Sequence, residues 1–158
     1  MKTKIEKVLK ESAIKTFEDI CFMYLEPELE DEQKGLALEA VSQVKFKGDY
    51  NGSLIVETRG GLFAAIAANM LGNDHPNFQQ KNDALGEVAN IICGNVVPSL
   101  GRKSGQEYKI ESPVILNIDE MPADKEEPLA QVTLNLSEGR ADIKLFLDDK
   151  NSFKEKKD

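Results

Sequence analysis

The sequence predicts an α+β domain: a largely antiparallel sheet with helices packed on one face, in the order α-β-β-α-α-β-β-β. Three observations carry this. Apolar residues recur at helical spacing near the N-terminus and again around residue 90. Elsewhere apolar and polar residues alternate in short runs joined by turn signals, as antiparallel hairpins require. The helical and strand-like stretches are segregated, unlike the regular alternation of parallel βαβ units.

The first helix spans Lys4 to Cys21, with Ile5, Val8, Leu9, Ile14, Phe17, Ile20 and Cys21 on its apolar side. Glu26 to Lys34 is acidic, contains Pro27 and reads as a loop. Ala40–Phe46 and Ser53–Thr58 are strands, and Gly48-Asp-Tyr-Asn-Gly52 between them is a hairpin turn signal. Gly60-Gly61 opens a short helix, Leu62–Leu71, closed by Gly72. Its four alanines allow a neighbour to pack closely. Asn73 to Gln80 reads as a polar loop, and a further helix runs from about Asp83 toward Pro98. Gly101 to Tyr108 is polar and irregular. Three strands follow, Pro113–Ile118, Ala130–Leu136 and Ala141–Leu147, the last two joined at Ser137–Arg140. Asp119 to Glu127 is an acidic, proline-bearing loop. Residues 1–148 thus form one domain, and the charged stretch 149–158 is expected to be a disordered tail.

With 158 residues and 41% hydrophobic content, the chain is long enough for one real core. Its net charge of −8 argues against a nucleic-acid partner and against an anionic membrane surface. No apolar run approaches a membrane span, and the N-terminus lacks a secretory pattern. Cys21 and Cys93 sit in apolar helical patterns and read as small buried hydrophobes, so a cytoplasmic setting is expected. His75 precedes a proline in a polar loop and reads as solvated. Ser99, Ser104 and Ser112 lack the context of an activated nucleophile.

The chemically informative stretch is Asp83-Ala-Leu-Gly-Glu-Val-Ala-Asn90. Asp83, Glu87 and Asn90 fall at i, i+4 and i+7, within a wedge of roughly 60° on a helix. Leu85, Val88, Ala89, Ile92 and Val96 point the other way, toward a core. A carboxylate and a carboxamide held rigidly, with no metal ligands around them, suit gripping a cation while positioning a water. Gly94 extends the same face and would admit a partner's backbone. Asp83 reads as a helix-start residue, favourable with the N-terminal dipole.

Reading on, 22 residues separate Asn90 from Pro113, giving Asp83-x3-Glu87-x2-Asn90-x22-Pro113. This pattern resembles the signature of the CheC/CheX/FliY family of chemotaxis phosphatases. A chance match in a chain this long is on the order of one in a thousand at average residue frequencies. The flanking Gly86-Glu87-Val-Ala-Asn90-Ile-Ile-Cys-Gly94 and the Ala-rich helix ending Met-Leu-Gly72 are similar to the family's as well. Glu-x-x-Asn occurs here once, which points to the single-motif CheX type, whose members typically pair as homodimers. The resemblance implies hydrolysis of the phospho-aspartate of a CheY-type response regulator. Asn90 would orient the attacking water and Glu87 would pair with the regulator's lysine. Asp83, Gly94 and Pro113 would play supporting or partner-contact parts, Pro113 by starting a strand beside the helix. It further implies no metal or cofactor of the chain's own, with Mg²⁺ supplied by the receiver. The alternative is a non-catalytic interaction module of the same fold, binding a regulator or a flagellar switch component.

Overall fold

The computed structural model describes residues 3–121 and 127–154. Helix α1 spans Lys4–Cys21. Thr3 starts it: its side-chain oxygen accepts the Glu6 N–H at 3.2 Å, satisfying one orphan donor of the first turn. Ile5, Leu9, Ala13, Phe17 and Cys21 recur every four residues and form its buried stripe. The helix ends at Phe22, which takes a left-handed conformation (φ 55°) and donates its N–H to the Phe17 carbonyl.

Strands β1 (Leu38–Lys47) and β2 (Gly52–Arg59) form the first hairpin. Its turn is tied by the Asn51 side chain, which accepts the Gly48 N–H at 3.1 Å. A Cβ on Gly52 would lie within 2.0 Å of the Phe146 carbonyl oxygen, so the sequence needs glycine there for close strand approach. Helix α2 spans Leu62–Leu71 and ends at Gly72 in the left-handed region. Helix α3 spans Phe78–Val96. Two short strands follow, β3 (Lys109–Ile110) and β4 (Val114–Leu116), then the second hairpin, β5 (Ala130–Leu136) and β6 (Gly139–Leu147).

These strands make one antiparallel sheet in the order β3-β1-β2-β6-β5, with β4 beside β3 along the same edge of β1. Both hairpins keep in-phase alternation, so Val44, Phe46, Leu54, Val56, Ile143 and Leu145 all turn toward the helices. The α+β architecture and the helices on one face agree with the sequence reading. On the opposite face Glu57 and Asp142 are buried under basic side chains. Lys144 Nζ lies 3.2 Å from Glu57 Oε2, and Arg140 Nε lies 3.1 Å from Asp142 Oδ2. The Thr133 hydroxyl donates to Asp142 Oδ1 at 2.6 Å.

Three segments differ from the sequence reading. The long helix begins at Phe78, not near Asp83, so the polar loop before it is shorter than expected. The strand expected over Pro113–Ile118 is only Val114–Leu116, because the Asn117 side chain accepts the Asp119 N–H at 3.0 Å and turns the chain. Lys109–Ile110 pairs with Phe46 and Lys47, a strand too short for alternation to reveal. Of the expected tail, Lys150–Ser152 form a 3₁₀ turn and Phe153 packs edge-on against Tyr50. Residues 155–158, and residues 122–126 of the acidic loop, lie outside those described.

Burial pushes the thiols of Cys21 and Cys93 up to about 12, with the charge of Glu138 adding to the effect at Cys21. Neither cysteine is disulfide-bonded, and both are buried. Both should therefore resist a thiol-specific reagent in the folded protein at pH 8 and react promptly in denaturant. Fast native-state labelling would contradict this packing. Leu85 is fully buried on α3. Leu85→Ala should cost about 2–5 kcal/mol in urea unfolding, and a loss under about 1 kcal/mol would show that α3 is not anchored there.

Candidate functional site

Helix α3 is built from its N-terminus by a reciprocal pair. The Asn77 side chain accepts the Gln80 N–H at 2.8 Å, and the Gln80 side chain accepts the Asn77 N–H at 2.9 Å. This capping box fixes the start of the helix. Asn77-x2-Gln80 was readable as such a signal, but the polar composition of the stretch concealed it. Asp83 therefore lies in the second turn of α3, and the helix-start role expected for it is not observed. Its Oδ1 instead accepts from Gln79 Nε2 at 2.8 Å, one turn back on the same face.

Along α3 the two sides divide cleanly. Asp83, Glu87, Asn90 and Gly94 are exposed, while Ala84, Leu85, Val88, Ala89, Ile92, Cys93 and Val96 are buried. The buried residues pack against α1, α2 and β1. A helix held on so many sides cannot roll, so the backbone positions that carry Glu87 and Asn90 keep a fixed spacing. Gly94 leaves the end of the face bare: an added Cβ would meet only Ile110 Cδ1, at 3.9 Å.

The structure also shows what Pro113 does. A Cβ on Gly86 would stand 3.2 Å from Pro113 Cβ and 3.4 Å from Cγ, so the ring rests directly on the flank of α3 beside Glu87 and Asn90. Pro113 precedes β4, as the sequence suggested, and it sits in an irregularity of the edge. Phe46 pairs with Ile110 and Gln43 with Val114, so four steps on the edge answer three on β1. That extra residue is a bulge, where a proline's missing N–H removes no ladder bond. The contact between Gly86 and Pro113 could not be read from either residue alone. Its only sequence trace was the fixed interval.

Among the described residues, no group of three or more His, Cys, Asp or Glu side chains could hold a metal ion. Among the described residues, no helix is long and apolar enough to cross a membrane. The exposed face offers acceptor-only carboxylates at Asp83 and Glu87 and one amide able both to donate and to accept at Asn90. Such a face can orient a water and grip a cation on a partner that brings its own electrophile.

The fold and this face define a class: α+β proteins with an exposed Glu-x-x-Asn face on a packed helix. Comparison with known proteins narrows it. Residues 40–137 match the family described as chemotaxis phosphatase CheX. The chain belongs to the CheX family of chemotaxis phosphatases. No curated protein matched it in a sequence comparison. Among solved structures it is similar to a chemotaxis protein CheX from Desulfovibrio desulfuricans, at 19% identity and a TM-score of 0.68, covering 92% of this chain and 100% of that one. A CheX from Vibrio vulnificus gives 23% identity and 0.66, covering 92% and 97%. The CheX of a CheX–CheY–BeF3–Mg complex from Borrelia burgdorferi gives 16% and 0.68, covering 94% and 100%. At these identities the likeness speaks for the fold.

The capping geometry makes a direct comparison possible. Asn77→Ala should lower stability by about 1 kcal/mol, whereas Asp83→Ala should change it by about 0.5 kcal/mol or less in the same urea titration. The reverse order would restore Asp83 as the helix-starting residue.

Proposed function

We propose that this protein hydrolyses the phospho-aspartate of a CheY-type response regulator in chemotaxis or two-component signalling. The observation that carries this reading is the exposed pairing of Glu87 and Asn90 on the packed helix α3, within a chain of the CheX family. A phosphorylated receiver supplies Mg²⁺, the acyl phosphate and a lysine. What remains is an attacking water in line with the phosphorus. Asn90 orients that water through its amide, as a water-positioning glutamine does in GTPases. Asn90 contributes position, not proton transfer. Glu87 pairs with the receiver's lysine in a charge-assisted contact and sets the docking register. Gly94 lets the partner's backbone approach the end of the face, and Pro113 holds the flank of the helix through Gly86. Asp83 supports the face from its first position. A rate gain of about 10²-fold would need only about 3 kcal/mol of such positioning.

The same reading includes a homodimer. The edge formed by β3 and β4 pairs with β1 alone, and Val114 on it is 52% exposed. An exposed apolar edge strand favours pairing with a second chain. A monomer by light scattering at micromolar concentration would count against this assembly.

The activity is tested by mixing the protein with a phosphorylated receiver and following phosphate release. Asn90→Ala should lose about 10²-fold in rate with unchanged circular dichroism and retained binding. Glu87→Ala should weaken receiver binding. Equal release by wild type and Asn90→Ala would sink the water-positioning role. No acceleration with any receiver of the host would favour a non-catalytic binding module.

A further inference from the structure

The flank of α3 that meets Pro113 opens into a groove one turn before that contact. At Gly86 the helix and the sheet edge touch. At Asn82, four residues earlier on the same stripe, the gap between them widens into a concavity of about 670 Å³. Phe78 and Asn82 of α3 and Phe63 of α2 form one wall. Strand β4 and Ile118 after it form the other, and Glu39 of β1 and Asp119 complete the lining. The Phe63 and Phe78 rings meet edge-on with centroids 6.3 Å apart. Phe78 is 67% exposed and Ile118 38%, so each wall leaves apolar surface open to solvent.

Open apolar surface of this kind marks a contact site, and the charges around it indicate what it contacts. Among the described lining residues the charged ones are Glu39 and Asp119, both exposed carboxylates. The Gly61 N–H donates to Glu39 Oε1 at 2.7 Å and holds that carboxylate at the groove. A carboxylate accepts several bonds, so a cation can still pair with it. The rings already draw a cation: Lys81 Nζ lies 5.9 Å over the Phe63 ring, although Lys81 does not line the groove. With Lys81 counted, the carboxylates of Glu39, Asp119 and neighbouring Asp83 still outnumber it. A side chain with an apolar stem and a cationic head matches the aromatic wall, the aliphatic wall and the anionic rim together.

We propose that this groove is a second anchor for the receiver, taking a receiver lysine or arginine other than the lysine paired with Glu87. The stem of that side chain lies along Phe63, Phe78 and Ile118, and its head meets Glu39 and Asp119. The inference rests on the phosphatase reading above, and continuity with the Glu87–Asn90 face selects the occupant. At 1.5 Å per residue, Asn82 lies about 7.5 Å from Glu87 and about 12 Å from Asn90 along the helix axis. A stable protein interface covers roughly 800 Å² on each partner, a patch on the order of 30 Å across, so a receiver seated over Glu87 reaches the groove. Glu87 and Asn90 act on groups that every phosphorylated receiver carries. The groove reads a residue outside that common set, and so selects among receivers.

The test titrates the full chain with each CheY-type receiver of the host, activated with beryllofluoride and Mg²⁺, and follows phosphate release from the phosphorylated receiver in parallel. Asp119→Lys and Phe78→Ala should each raise Kd and KM by about tenfold while kcat stays within about twofold. Asp119→Glu should restore the wild-type values. Asp148→Lys, at the opposite end of the sheet, should leave them unchanged. Asn90→Ala should show the reverse split, with kcat lost and Kd kept. Wild-type hydrolysis with both groove variants within about twofold in Kd would overturn the anchor and leave the phosphatase reading standing. Receiver binding that the groove variants weaken, without hydrolysis by wild type, would keep the anchor and sink the phosphatase reading. No binding of any receiver would overturn both. A changed mass by light scattering in Asp119→Lys, with receiver affinity intact, would give the groove to a second copy of the chain and overturn the proposal.

Discussion

The burial of one side of α3 is the constraint on which the rest of the molecule depends. Leu85, Val88, Ile92 and Val96 are each fully buried, and each belongs to the single core that joins the helices to the sheet. The face opposite them carries no comparable packing. Its backbone is held from below: Val88 and Ala89, next to Glu87 and Asn90, are fully buried. Under the proposed function, such a face needs no cavity around Glu87 and Asn90. It needs a helix that does not roll, and a partner able to close over it.

The other face of the sheet solves a different problem. A sheet with helices on one side leaves its second side to water, yet Glu57 and Asp142 are nearly inaccessible there. Three basic side chains and the Thr133 hydroxyl lie over them, at 26% exposure or less for the basic groups. Pairing is what makes such burial tolerable, and removing one partner would strand a charge. The arrangement covers the middle of the sheet with charged groups, while the β4 edge carries Val114, Ile115 and Leu116.

Much of this was legible in the sequence because it rests on periodicity. Helical spacing placed α1, the turn signal at Gly48–Gly52 placed the first hairpin, and alternation placed the second. The exposed stripe of α3 followed from the same arithmetic. What escaped was governed by single local bonds. Asn77 and Gln80 begin α3 a turn earlier than its apolar pattern does. Asn117 ends β4 early, and Lys109–Ile110 is too brief to show a period. The role of Asp83 was misread for the same reason: a carboxylate ahead of an apolar run looks like a cap until a better cap is found upstream. Gly86 was legible only as part of a similar string, because its purpose lies in a ring that arrives from a distant strand.

That ring gives the interval between Asn90 and Pro113 a mechanical meaning. The chain leaves α3, turns through the loop at 101–107, runs back along β1 and returns to the helix it left, where Pro113 closes on Gly86. The stretch between is a strap, and the spacing measures its length. Nothing in the chemistry of a carboxylate and an amide asks for 22 residues. The number is what it takes for this backbone to reach its own buckle, and the bulge at Pro113 absorbs the last residue of slack.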